Sequence, residues 1–306
     1  DLLKQKVEIE EQEGWKIEKK FPKSVRMSVE KKLDVQLEDE VWCIVSQMGY
    51  HELSENRQFK IEIPKDPNPR QIDVFAKDDE VALVIECTQS EKPVRSSKKD
   101  IADKIHNITD IKGEVINAIR SHYGSETILK PRFIIATRNV DWGDEDLEKC
   151  KSRGISVITE SELKYFKLLT KHLKIAARHQ FHAHLFQGID IPALRKIVPA
   201  TKGMMGGTKC YSFLIEPSEL LKIAYVSHKS SVSAEDDMKS YQRMLKPHRL
   251  RDIANYISDG GRFPTNIVVN FKNKRPLKFD QAAKKEDGAF GKLELPNQFA
   301  SAWVID

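Results

Sequence analysis

The sequence predicts an α/β protein in which a mixed sheet flanked by helices is followed by a second, α+β domain. Three observations point there. Helix-period and strand-period segments alternate from residue 33 to about residue 178. The texture then changes at Pro192, Pro199 and the glycines Gly203, Gly206 and Gly207. At 306 residues the chain is long enough for two cores.

The elements follow in order. Residues 1–32 are charged and mostly polar, an arm or a short helix with strand. In "LEDEVWCIVSQMGY", Leu37, Val41, Ile44, Val45 and Met48 fall at helical spacing and Gly49 stops the run. "FKIEIP" alternates as a strand and "PKDPNPR" is a proline-rich loop. Two apolar runs then surround a Lys-Asp-Asp turn in "QIDVFAKDDEVALVIECTQS", residues 71–90. A long helix carries Ile101, Ile105, Ile108, Ile111, Val115 and Ile119 on one stripe. "RFIIAT" reads as a buried strand, "EDLEKCKSRG" as a helix, "ISVIT" as a strand and "ESELKYFKLLTKHLKIAARHQFHAHLF" as a continuous helix. Beyond the boundary come a strand ("CYSFLIE"), a helix ("PSELLKIAYVS"), a polar gap and a second helix ("LKPHRLRDIANYISDG") whose Leu250, Ile253, Ala254 and Ile257 form a buried stripe. A strand ("TNIVVNF"), a hairpin-like stretch and a last apolar strand ("AWVID") close the sequence.

Composition excludes little. Lys+Arg 51 against Asp+Glu 46 gives +5, which permits a nucleic-acid partner without requiring one. Cys43, Cys87, Cys150 and Cys210 form no CxxC pair, and neither a signal segment nor a membrane-length apolar run is present. These features predict a reduced, soluble, cytoplasmic protein without a membrane partner. The start without Met and the stop in mid-pattern at "SAWVID" read as a fragment.

Candidate chemistry lies in the two apolar runs. If residues 73–76 and 81–88 form an antiparallel hairpin with Ala76 opposite Val81, then Asp73 lies opposite Val84. Asp73, Val84, Glu86 and Thr88 then share one face, while Ile85 and Cys87 take the other. The diagonal Asp73–Glu86 spacing is about 7–8 Å, within reach of one cation. Carboxylates suit Mg²⁺ or Mn²⁺, which can activate water and stabilise charge on a phosphodiester. Glu40, on the preceding helix, is a candidate third carboxylate. Taken singly, a turn-capping Asp and a solvated Glu at a strand end would look the same.

This stretch resembles the PD-(D/E)XK restriction-endonuclease-like superfamily. Glu40 matches the helix Glu, Asp73 the motif Asp, and Glu86-Cys87-Thr88 the E-x-K tripeptide. "ISVITESELKYFKLL" is similar to the strand and closing helix of Mrr-like and resolvase-like members. The resemblance implies a restriction-endonuclease-like mixed sheet over roughly residues 33–170 and a metal-dependent DNA endonuclease of a prokaryotic defence or DNA-modification system. Thr88 departs from it, since the family places a Lys there. Three readings stay open. The lysine has migrated, with Lys60, Lys98 and Lys99 as candidates; Gln89 and Thr88 suffice with a metal; or the site is degenerate and the domain only binds DNA as a regulator. A protein-interaction scaffold is a further alternative.

In the second half, "SYQRMLKPHRLRDIANYI" gathers Arg243, Arg249 and Arg251 around a helix start, where guanidinium groups and helix amides suit phosphate. The plain alternative is a solvated basic helix. "YQRMLKPHRLRDIANYI", "FPTNIVV" and "WVID" resemble the DGQHR family, which includes the B component of Dnd phosphorothioation systems and is distantly ParB-like. The resemblance implies DNA or nucleotide (ATP or GTP) binding through Tyr241, Gln242, Arg243, Arg249, Arg251 and Asp306, with Asp306 opening the signature. The expected organisation is an arm (1–32), a nuclease-like domain (33–170), a helical linker (171–203) and the first part of a DGQHR domain (204–306). Expected partners are DNA and, beyond it, a second copy or other defence-system proteins. "HQFHAH" (His179, His182, His184) reads as surface helix, and "KGMMGGTK" as a linker lacking phosphate-loop spacing.

Overall fold

The computed structural model describes residues 2–54, 60–61, 70–96, 99–124, 129–226, 247–263, 265–271, 276–285 and 288–304. The chain opens with α1 (Leu2–Gln12) and a two-stranded ribbon of β1 (Lys16–Lys20) and β2 (Val25–Ser28). There follow α2 (Leu33–Gln47), β3 (Glu52–Leu53), β4 (Lys60–Ile61), β5 (Arg70–Gln71), β6 (Val74–Lys77) and β7 (Val81–Arg95). Next come α3 (Lys99–Tyr123), β8 (Lys130–Asp141), α4 (Asp144–Ser152), β9 (Ile155–Ile158), α5 (Glu160–Leu173) and α6 (Ala177–Leu185). The remaining elements are β10 (Lys196–Met205), β11 (Thr208–Phe213), α7 (Pro217–Ile223), β12 (Ala224–Val226), α8 (Pro247–Ser258), β13 (Val269–Phe271), β14 (Phe279–Lys285), β15 (Gly288–Leu295) and β16 (Ala302–Val304).

The mixed sheet runs β3-β6-β7-β8-β9. β6 and β7 are antiparallel, while β7, β8 and β9 are parallel, their crossovers made by α3 and α4. Strands buried on both faces read as continuous apolar runs, which is why "VALVI" and "FIIA" hide almost completely. One face carries Val74, Ala76, Leu83, Ile85, Cys87, Ile134 and Ala136 against α2, α5 and α6. The other carries Phe75, Ala82, Val84, Phe133 and Ile135 against the stripe of α3, with Ile101, Ile105, Ile108, Val115 and Ile119 buried as the spacing predicts. Of "FKIEIP" only Lys60 and Ile61 are among the described residues; they form β4, which pairs with β5 outside this sheet.

The continuous helix expected over residues 160–186 is broken. Lys174 adopts φ 52, a three-residue 3₁₀ turn follows, and α6 folds back so that Phe181 packs edge-on to Phe166 at 4.8 Å. A straight helix would carry Phe181, Leu185 and Phe186 away from the core they now fill. "KGMMGGTK" is a hairpin rather than a linker. Met205 pairs with Thr208, and Gly206 (φ 55) and Gly207 (φ 80) supply the two positive-φ positions that a tight turn matched to strand twist demands.

The second part holds a four-stranded sheet, β11-β10-β15-β14, and a three-stranded one, β12-β16-β13. Val198, Ala200, Ile223, Leu293 and Leu295 form its core. Phe299 belongs instead to the first core, beside His182 and Phe186. Residues 171–203 comprise the end of α5, α6 and most of β10. The stripe expected to be buried on α8 is not: Ile253, Ala254 and Ile257 are exposed, because no element among the described residues packs on that face. No helix among the described residues is long and apolar enough to cross a membrane.

Candidate functional site

The hairpin register differs from the expected one by two residues. Val74 pairs with Ile85, Phe75 with Val84 and Ala76 with Leu83. The turn sets this: Asp78 Oδ1 accepts from the amides of Glu80 (3.0 Å) and Val81 (2.8 Å), closing the hairpin one residue later than Asp78–Asp79 would. A slip of two preserves the face of every side chain. Glu86 and Thr88 therefore still point to the α3 side with Val84, and Asp73 comes directly opposite Glu86 instead of diagonal to it.

Asp73 sits in a bend just before β6. There β7 runs on without its antiparallel neighbour, and the main chain of Cys87 is met by side chains. Asp73 Oδ2 accepts from the Cys87 amide at 2.8 Å. Lys104, on α3, donates to the Cys87 carbonyl at 2.6 Å. Glu86 lies between them. Burial pushes its pKa up to about 8, and the adjacent, hydrogen-bonded Asp73 adds to the rise; Lys104 pulls the other way and Glu38 on α2 pushes up. The Thr88 hydroxyl is buried and has no hydrogen-bond partner among the described residues. The site is thus a half-buried acidic pair beside one ammonium, with a hydroxyl unsatisfied among the described residues two positions along the strand.

Glu40 and Gln89 do not join it. The Glu40 carboxylate is bound by Arg138 and by Lys167 (2.7 Å), and Gln89 Oε1 accepts from Arg138 at 3.3 Å. Burial would raise the pKa of Glu40, but the hydrogen bonds from Lys167 and Arg138 outweigh it and hold the group ionised. Cys87 and Ile85 mark this as the α2 face of β7, opposite Glu86. Lys60 lies in β4, Lys99 is exposed at the start of α3, and Lys98 lies outside the described residues. Tyr241, Gln242, Arg243 and Asp306 also lie outside them, while Arg249 and Arg251 are exposed on α8.

His182 is not on the surface. It is 1% exposed, its Nε2 sits 2.8 Å from the Tyr50 hydroxyl and 3.5 Å from Asp78, and burial holds it neutral. The helix break explains the error, since α6 turns this face inward. Among the described residues no group of three or more His, Cys, Asp or Glu is placed to hold a metal ion.

Lys104 and Glu38 escaped the sequence reading, although Lys104 left a trace. It stands three residues after Ile101 and four before Ile108, a stripe position where an apolar residue is expected.

No protein-family profile matches the chain, and no curated protein matches it. Three solved structures show similarity. Protein VC1899 from Vibrio cholerae is 17% identical with a TM-score of 0.34, over 56% of this chain and 41% of that one. AF1548, a protein of unknown function, is 18% identical with a TM-score of 0.29, over 42% and 59%. Can2 from Sulfobacillus thermosulfidooxidans, solved with cyclic tetra-adenylate, is 15% identical with a TM-score of 0.32, over 54% and 44%. The chain spans less than two thirds of the length of each.

Proposed function

We propose that the chain is a metal-dependent phosphodiester hydrolase acting on DNA, with Asp73 and Glu86 as ligands and Lys104 in the role that the E-x-K lysine fills elsewhere. The observation that carries this reading is the half-buried Asp73–Glu86 pair with the Lys104 ammonium beside it. Two adjacent carboxylates partly withdrawn from water repel unless a proton or a cation sits between them. A hard divalent ion suits that donor set, because Mg²⁺ is commonly held by one or two carboxylates and keeps its remaining waters. Bound there, it would lower the pKa of water and offset phosphoryl charge.

The chain's own groups do the rest. Asp73 is fixed by the Cys87 amide, so the orientation of its carboxylate is preset. Lys104 is fixed by the Cys87 carbonyl and brings positive charge to the site that Thr88 does not. It can orient a water and neutralise charge developing on the scissile phosphate. The Thr88 hydroxyl can hydrogen-bond that water. The wider setting proposed is prokaryotic defence or DNA modification, with Arg249 and Arg251 in a second, DNA- or nucleotide-sensing unit.

Plasmid cleavage with Mg²⁺ or Mn²⁺, by wild type and by Asp73→Ala, Glu86→Ala and Lys104→Met, tests the proposal. Cleavage lost in all three variants supports it. Cleavage that survives Asp73→Ala or Glu86→Ala sinks it. A second reading, a DNA-binding regulator with a decayed site, draws on Thr88 and on the small donor set; inert wild type that still binds DNA would favour it.

A further inference from the structure

We infer that the β1–β2 ribbon is a duplex-DNA-binding arm, inserted into a groove and gripping phosphates through Lys16, Lys19, Lys23 and Arg26. This deepens the DNA-directed reading by naming a surface that takes the duplex, apart from the Asp73–Glu86 site.

Charge comes first. Residues 16–28 hold Lys16, Lys19, Lys20, Lys23 and Arg26 against the single acid Glu18. The ribbon thus carries four of the chain's five net positive charges in thirteen residues. All five cations are exposed, and none makes an ion pair among the described residues. Some lysines elsewhere are neutralised locally, Lys31, Lys77, Lys149, Lys164, Lys167 and Lys222 each meeting a carboxylate.

Geometry is the second observation. Lys19 pairs directly across the ribbon with Arg26, and Lys16 with Ser28, so one face is cationic. Like charges set opposite each other across a strand pair are destabilising, and no acid among the described residues pairs with them. At the tip, exposed Phe21 lies under both, with Lys19 Nζ 5.3 Å and the Arg26 guanidinium 5.8 Å from its ring centroid. Among the described residues the ribbon pairs with no other strand. A two-stranded ribbon is a shape that the major groove admits, and lysine and arginine along it face the flanking phosphates. An acidic membrane is the poorer fit, because Ile17, Val25 and Met27 are half-buried and Phe21 is the ribbon's one exposed large apolar side chain.

Position is the third. The ribbon leads through Glu30, Lys31 and Lys32 into α2, and these residues line a polar cleft of about 600 Å³ with Gln36, Gln89 and Glu91. Gln89 and Glu91 are on β7, just past Glu86 and Thr88. The arm is therefore rooted where the strand bearing Glu86 emerges.

The test is equilibrium binding of the full chain to a labelled 30-base-pair duplex in EDTA, where cleavage plays no part. Lys19→Glu/Lys23→Glu/Arg26→Glu should lose about 100-fold or more in affinity, and its log Kd–log salt slope should fall by about 2.7, roughly 0.9 for each lost phosphate contact. Phe21→Ala should lose several-fold with the slope unchanged. Lys149→Glu/Lys151→Glu/Lys171→Glu, which changes net charge equally on α4 and α5, should bind within about threefold of wild type. Equal loss in both triple variants would mean bulk charge and overturn the arm, as would wild type that binds RNA or acidic vesicles but not the duplex. Unchanged thermal unfolding of the ribbon variant shows that lost binding is not lost folding. Ribbon-dependent binding without cleavage would leave the arm and remove the hydrolase; cleavage with ribbon-independent binding would do the reverse.

Discussion

At the scale of the residue, Glu86 sets the pH behaviour. With its pKa pushed up to about 8 by burial and Asp73, it holds a proton at neutral pH in the absence of a cation. Metal binding must displace that proton. Calorimetry in buffers of different ionisation enthalpy should therefore find close to one proton released per Mg²⁺ or Mn²⁺ at pH 7 and almost none at pH 9. The same shift has a sign for stability. The folded state holds the proton more tightly than the unfolded chain, so metal-free stability should decline as pH rises from the ordinary carboxylate range to about 8. Glu86→Gln should flatten that decline and raise Tm above pH 8, by about 5 °C if a few kcal/mol are recovered. A Glu86→Gln protein with the wild-type pH profile would remove Glu86 as the cause. Thr88→Ala should cost about an order of magnitude in rate, the worth of one hydrogen bond. Thr88→Lys should lower activity, because a second ammonium would crowd Lys104; a rise would mean that Lys104 does not fill the role. That Asp73 and Glu86 share a face was legible because strand parity survives a two-residue slip. Glu40 was not, since several acids on one helix look alike until Arg138 and Lys167 choose between them.

At the scale of the element, apolar spacing told most of the story. The α3 stripe and the apolar runs of β7 and β8 translate directly into the two faces of the sheet. The α5–α6 break could not be read, because no proline or glycine marks it; the turn rests on Lys174 in a positive-φ conformation. Such a backbone costs a residue with a side chain of order 1 kcal/mol or more. Lys174→Gly should stabilise the protein by about 1 kcal/mol in urea unfolding, and a loss of stability would show that the Lys174 side chain matters more than its backbone. His182 follows from the same break. Tyr50→Phe leaves its ring without that partner in a dry site, so a loss of about 1–3 kcal/mol is expected.

At the scale of the whole molecule, the two parts are joined at the hairpin that bears the acidic pair. Glu80, in the β6–β7 turn, meets Lys222 of α7 at 2.5 Å, and Lys222 also meets Glu219. Asp190 accepts from Gln298 at 2.6 Å, and the Ile191 amide donates to Asn297 at 2.8 Å. Phe299 fills the first core at 3% exposure. Phe299→Ala should cost about 3–5 kcal/mol and disturb the first unit's unfolding transition, not only the second's. If only a later, separate transition shifts, the shared core is wrong. None of this was legible in sequence, since a composition change at Pro192 and Gly203 marks a change of architecture and not an end to packing.

Phe299 also sets a timetable. As the chain leaves the ribosome, every strand of the five-stranded sheet is available by residue 158, yet the ring that completes the packing around His182 and Phe186 belongs to residue 299 and follows well over a hundred residues later. Until then the nascent protein carries an apolar opening on an otherwise assembled unit. Closing the first core therefore waits on a segment far downstream of it, and during synthesis that opening is the place for a chaperone to hold.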